Sequence, residues 1–168
     1  MEAKYVIRAA LPADLATVAD LVHKLQDHLE ASNPDLWRMT DEARANLKGQ
    51  LAGRLRDPQV CALVAEHERE GIIGVIFGRI VTNKRYVPAR AGQIDQAFVH
   101  ENHRLQGIGS QLVAQLTRYF AQQGVEDISL RYVSGNQQAE AFWTALGFSP
   151  RIITAGAGRK RVTPELNE

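Results

Sequence analysis

The chain has 168 residues, a formal net charge of +1, 45% hydrophobic and 23% charged residues, and one cysteine. That length suits one domain with a full core and is short for two, and the near-zero charge gives no global pointer to nucleic acid or anionic membrane. Cys61 cannot form an internal disulfide; in the apolar run Val60-Cys61-Ala62-Leu63-Val64 it reads as a small core residue, and a reducing cytoplasm is the expected compartment.

Tyr5 to Ala9 reads as a first strand, and Pro12-Ala13-Asp14 as a helix start. Leu15, Val18, Leu21 or Val22, Leu25 and Leu29 form an amphipathic stripe; His23 and His28 on this helix read as surface or satisfied histidines. Ser32-Asn33-Pro34-Asp35 breaks the helix. Thr40-Asp41-Glu42 opens a second one, with Ala43, Leu47, Leu51 and Leu55 in steps of four, and Asp57-Pro58 closes it. A second strand follows over 59–66, then a charged hairpin turn over Glu66–Gly71 and a long third strand from Ile72 to Thr82. A basic loop from Asn83 to Arg90 leads to a fourth strand over 93–99, with Ile94, Phe98 and Val99 supplying its bulk. From Ile108 the apolar period changes: Ile108, Leu112, Val113, Leu116 and Phe120 trace a helix. A strand over Asp127–Val133 and a helix carrying Ala139, Phe142, Trp143 and Leu146 come next, ended by Gly147. Arg151 to Thr154 and Arg159 to Thr163 read as paired tail strands around a Gly156-Ala157-Gly158 turn, and Pro164 to Glu168 as a frayed end. No apolar run approaches the ~18 residues of a membrane span, and Met1 to Tyr5 lacks the apolar core of a secretion signal.

Between the fourth strand and the third helix lies Arg104-x-x-Gly107-x-Gly109. A helix start leaves N–H groups free and carries partial positive charge, so a glycine loop there suits a phosphate. A Walker loop would need Lys followed by Ser or Thr after its second glycine, but Gly109 is followed by Ser110 and Gln111. A Rossmann fingerprint needs a small residue where Leu112 stands. The loop instead resembles the pyrophosphate loop of the GNAT N-acetyltransferase superfamily. Asn136-x-x-Ala139-x-x-Phe142-Trp143-x-x-Leu146-Gly147-Phe148 resembles that superfamily's second signature block, in the right order and at a plausible separation. The resemblance covers nearly the whole chain; the first two helices match by position only.

The resemblance implies a single α/β domain over 3–163 with the GNAT fold. Its central mixed, mostly antiparallel sheet has about seven strands, splayed between the fourth and fifth, and about four flanking helices. It implies transfer of an acetyl group from acetyl-CoA, as cosubstrate, to a primary amine by direct attack in a ternary complex. Arg104 and the amides of Leu105, Gln106, Gly107, Ile108, Gly109 and Ser110 would wrap the pyrophosphate. The pantetheine arm would pair with the strand edge at Phe98 and Val99, and the N–H of one or the other would polarise the thioester carbonyl. Asn136 would bond the pantetheine while capping its helix.

An alkyl amine of pKa ~10.4 is almost wholly protonated at neutral pH, so a base or a carboxylate-held water is useful. Asp95 is the expected catalytic carboxylate, acting directly or through water; Gln96 could orient a water. His100 and His103 read as loop surface or phosphate neighbours. Many relatives place a tyrosine acid where Trp143 stands, and an indole is not a usable proton source. Water, another group such as Tyr132 or Ser134, or a lack of efficient catalysis would account for the change, and Trp143 would pack beside the CoA sulfur.

The acceptor is a small-molecule or peptide amine. Trp37 and Met39 could wall its pocket or plug the core. Asp35, Asp41 and Glu42 would favour a polyamine or aminoglycoside, and Lys84, Arg85 and Arg90 an amino acid, unless both sets are solvated surface. No metal, nucleic-acid or membrane partner is expected. A homodimer through exposed strand edges follows from family habit. The alternative reading is an acyl-CoA-binding sensor or interaction module with little turnover.

Overall fold

β-branched and aromatic residues concentrate in the segments that become the strands of one sheet. The computed structural model describes residues 4–33 and 35–156. Its elements run β1 (Tyr5–Ala9), α1 (Leu15–Ser32), α2 (Asp41–Arg56), β2 (Val60–His67), β3 (Gly71–Thr82), β4 (Arg90–Val99), α3 (Ile108–Gln122), β5 (Ile128–Leu130) and α4 (Gln137–Ala145). The sheet order is β1-β2-β3-β4-β5. The first four strands pair antiparallel in sequence, and β5 joins β4 in parallel.

The sheet therefore has five strands among the described residues, not about seven. Arg151–Thr154 forms no strand, and its expected partner Arg159–Thr163, with Pro164–Glu168, lies outside the described residues. β5 is also shorter than its alternating pattern suggested, three residues in place of seven. The described residues divide into two compact units with the boundary after Asn136.

In the first unit, α1 and α2 cover one face of the sheet. Val18, Leu21, Val22, Leu47 and Leu51 pack there with Val64, Val75, Phe77 and Phe98. The helix starts are held by polar bonds. Asp14 accepts the Leu11 N–H at 2.7 Å and two bonds from Arg8, at 2.6 and 3.1 Å, and Thr40 accepts the Ala43 N–H at 3.2 Å. Arg8 also donates to Glu66 at 2.7 Å, and holds the Asp14 carboxyl below the usual range. Arg44 of α2 reaches Asp27 and Glu30 of α1.

The opposite face receives α3. Alternation along β3 sends Val75 and Phe77 to the first face and Gly74 and Gly78 to this one. A Cβ at Gly78 would lie 2.7 Å from Leu116 and 2.8 Å from Phe120, and one at Gly92 would lie 2.8 Å from Phe120. Glycine at these two positions lets α3 seat Leu116 and Phe120, both fully buried, directly on the strands.

The second unit holds α4. Trp143 sits edge-on to Phe142 and Phe148, with ring centroids 4.8 and 5.5 Å away. The helix ends in a Schellman turn: Gly147 has φ +90°, and the Phe148 N–H returns to the Trp143 carbonyl at 3.0 Å.

Candidate functional site

Two consecutive irregularities shape the end of β4. Phe77 of β3 pairs with Gln96 and Gly78 pairs with Ile94, which leaves Asp95 as an extra residue on β4. Such a bulge breaks alternation, so neighbouring side chains reach the same partner. Arg54, in the last turn of α2, donates to Asp95 Oδ2 at 2.6 Å and to Gln96 Oε1 at 2.9 Å. The parallel pairing of β5 with β4 covers Gly92, Gln93 and Ile94 and stops there. Beyond the bulge, β4 keeps β3 as its one strand partner among the described residues.

The ladder tells which groups face the opening. The His100 N–H donates to the Ile73 carbonyl at 2.8 Å, and Phe98 stands opposite Val75. Backbone groups of an antiparallel strand alternate between its two edges. Phe98 therefore pairs with β3, whereas Ala97 and Val99 turn their N–H and C=O groups toward the open edge. Arg104 takes the Val99 carbonyl through its Nε at 3.1 Å, its guanidinium 5.4 Å over the Phe98 ring.

The chain then turns sharply. Leu105 is fully exposed and left-handed at φ +60°, and Gly107 caps α3 at φ +80°. A Cβ at Gly107 would meet nothing within 4 Å, so the space before the helix is open. The first helical bond runs from the Gln111 N–H to the Gly107 carbonyl at 3.0 Å. The amides ahead of it, Ile108, Gly109 and Ser110, are the ones an α-helix leaves without intrahelical partners. Open space, turned-out amides and helix charge fit a pyrophosphate, and the free edge at Ala97 and Val99 fits an amide-bearing arm.

The charged groups around this frame were only partly foreseen. Asp95 is 14% exposed and meets two guanidiniums: Arg54 at 2.6 Å and Arg79 of β3 at 3.4 Å. Arg54 lies 4.6 Å over the Phe77 ring, and its burial, partly offset by Asp95, pulls its pKa down. Neither arginine carried a motif in the sequence. The bulge that recruits Arg54 leaves no trace in composition.

His103 is not a loop-surface group. Its side chain is 12% exposed, its Nε2 lies 3.1 Å from Glu70 Oε2, and its ring lies 5.5 Å from that of His67. Contact with His103 lowers the Glu70 pKa. Trp37 does not plug the core: it is 42% exposed and left-handed at φ +60°, while Met39 packs against the core. Burial pushes the Cys61 thiol up to about 11, which suits a packing residue rather than a nucleophile. Asn136 ends the first unit, its N–H bonded to the Val133 carbonyl at 3.1 Å, and Trp143 lies in the second. Among the described residues, no group of three His, Cys, Asp or Glu is placed to hold a metal ion, and no helix is long and apolar enough to cross a membrane.

Residues 22–148 match the family model of the GNAT acetyltransferase family, so the chain belongs to that family. Among solved structures, it is similar to a tetramutant of the BH1408 protein from Bacillus halodurans, at 22% identity and a TM-score of 0.81, covering 91% of this chain and 99% of that one. It is also similar to the aminoglycoside acetyltransferase meta-AAC0020 from an uncultured soil metagenomic sample, at 17% identity and a TM-score of 0.69, covering 92% and 96%. An acetyltransferase from Vibrio fischeri aligns at 27% identity and a TM-score of 0.61, covering 74% and 93%. A comparison with curated proteins gives no match.

Proposed function

We propose that the protein is an acetyl-CoA-dependent N-acetyltransferase acting on a primary amine in a ternary complex, as one domain over 3–163. The observation that carries this reading is the open β4 edge at Ala97 and Val99, running straight into an α3 N-terminus capped by left-handed Gly107. Acetyl-CoA supplies the acetyl group as a thioester, so an N–C bond forms as a C–S bond breaks, and in the net reaction one proton passes from amine to sulfur.

The chain's own groups have separable tasks in this reading. The amides from Leu105 through Ser110 hold the pyrophosphate. Arg104 fastens the loop to β4 through the Val99 carbonyl and adds positive charge beside it. Ala97 and Val99 offer backbone groups to the pantetheine arm, and the Val99 N–H polarises the thioester carbonyl. Of the two residues weighed from sequence, Val99 is favoured because Phe98 spends its backbone groups on β3. Phe98 contributes its ring, beneath Arg104. Asn136 bonds the pantetheine where the second signature block begins.

Asp95 orders the acceptor amine, or the water that deprotonates it. A carboxylate has about four lone-pair sites, and the two guanidiniums leave room for another donor. The compartment is the cytoplasm, as the lone cysteine suggests.

One observation favours the rival sensor reading: Trp143 stands where an acid would be expected and is engaged edge-on with two aromatic rings. Thiol release from acetyl-CoA across polyamines, aminoglycosides, amino acids and peptide N-termini separates the two. Release with one class is the expected result. Tight CoA binding with no release from any class would favour the sensor.

A further inference from the structure

Asp95 is shared by two arginines that are not equivalent. Arg54 makes the short contact, 2.6 Å to Oδ2, and adds Gln96 at 2.9 Å. Arg79 reaches Oδ1 at 3.4 Å and Gln93 Oε1 at 3.4 Å, with 47% of its side chain exposed. Asp57 also acts on Arg54, but its Oδ1 is engaged by the Gln59 N–H at 2.8 Å. Among the described residues, no carboxylate other than Asp95 forms an ion pair with Arg79. Arg79 thus keeps an exposed guanidinium whose one ionic partner is more tightly held elsewhere.

The position matters as much as the charge. Phe77 and Phe98, on the same face as this cluster, pack with α1 and α2, whereas α3 and its phosphate-binding start occupy the other face. The bulge at Asp95 is also where β4 parts from β5. An amine reaching the open β4 edge from the α1/α2 face passes this cluster.

We propose that the acceptor carries a carboxylate as well as its amine, and that Arg79 binds that carboxylate while Asp95 attends the amine. The acceptor is then of the amino-acid class. This inference rests on the acetyl-transfer reading above. Arg79 is the suited anchor because a guanidinium presents a planar fork that matches a carboxylate. A polycation such as an aminoglycoside would meet an exposed cation beside a carboxylate already shared by two guanidiniums, and like charges at that range oppose binding. In this respect the site departs from what the soil metagenomic neighbour's activity would suggest.

The test compares the twenty amino acids with their carboxamides, spermidine and sisomicin. Binding is read by calorimetry on the CoA-loaded protein, and initial rates by thiol release. At least one free acid should bind about tenfold or more tightly than its amide, and spermidine and sisomicin should bind more weakly than that acid. Arg79→Gln should raise Kd and KM for the acid about tenfold, leave the amide's values in place, and leave CoA affinity unchanged. Arg79→Lys should restore part of the loss. Equal binding of acids and amides, or preference for spermidine or sisomicin, would overturn the proposal while leaving acetyl transfer intact. Failure of the protein to bind CoA at all would overturn the acetyl-transfer reading, and this proposal with it.

Discussion

Against α3, strands β3 and β4 present glycine; against α1 and α2, they present phenylalanine, arginine and aspartate. The α3 face is closed by shape. Gly78 and Gly92 admit Leu116 and Phe120 so closely that a Cβ would fit only if those side chains shifted. The α1/α2 face has an apolar floor from Val75, Phe77 and Phe98, but Arg54, Arg79, Asp95 and Gln96 gather at its end. Close packing on one side seats α3, whose start is the phosphate seat in the proposed reading. Charge on the other side leaves groups able to take a new partner. A transferase needs both, a fixed seat for the common cosubstrate and an adaptable one for the acceptor.

The largest effect should come from the close-packed side. Gly107→Asp places a carboxylate, at φ +80°, where the proposed reading seats the pyrophosphate. CoA affinity should fall about a hundredfold or more by calorimetry, with the circular dichroism of the fold retained. Unchanged affinity would remove the loop from the account.

On the charged side, Asp95→Asn keeps the size but removes the charge that Arg54 and Arg79 share. Turnover should drop about a hundredfold, while CoA affinity stays. A variant turning over like the parent would reduce Asp95 to a structural clamp.

Gly78→Ala asks whether the glycine face is as tight as its distances say. The added methyl would sit 2.7 Å from one Leu116 methyl and 2.9 Å from the other. Urea unfolding should show a loss of about 1–3 kcal/mol. A neutral result would mean that Leu116, Phe120 or α3 itself can shift to admit the methyl.

The smallest effect is at the start of α1. Arg8 holds the Asp14 carboxyl below its usual range, chiefly by hydrogen bonding. A depressed folded-state pKa gives stability that is present above the ordinary aspartate value of ~3.9 and lost as pH falls through the folded value. Asp14→Asn should cost about 1 kcal/mol at pH 7, shrinking as the pH drops below that range. An equal cost at pH 7 and in strong acid would contradict the pairing.

These two faces were not equally legible. The order of strands and helices could be read because burial imposes periods of two and of 3.6, and the stripes of α1 and α3 show them plainly. The glycine at the start of α3 could be read because glycine has a conformational reason to stand at a left-handed helix cap. Leu105 takes the same region without any such signal. The charged site was half hidden. Asp95 could be singled out, but its partners come from α2 and β3, 41 residues away in the case of Arg54. The bulge that lets Asp95 and Gln96 meet Arg54 together depends on how two strands pair. The seven-residue alternation at 127–133 overstated β5 for a related reason: pairing stops where β4 bulges away, not where the pattern ends.

The measurement closest to the central claim is amide hydrogen exchange with and without CoA. Added protection should concentrate at Leu105 through Ser110 and at Ala97 and Val99, with Phe98 little changed because its N–H already belongs to β3. Protection absent from both segments, or placed elsewhere in the first unit, would contradict a cosubstrate seated on the α3 start and the open edge of β4.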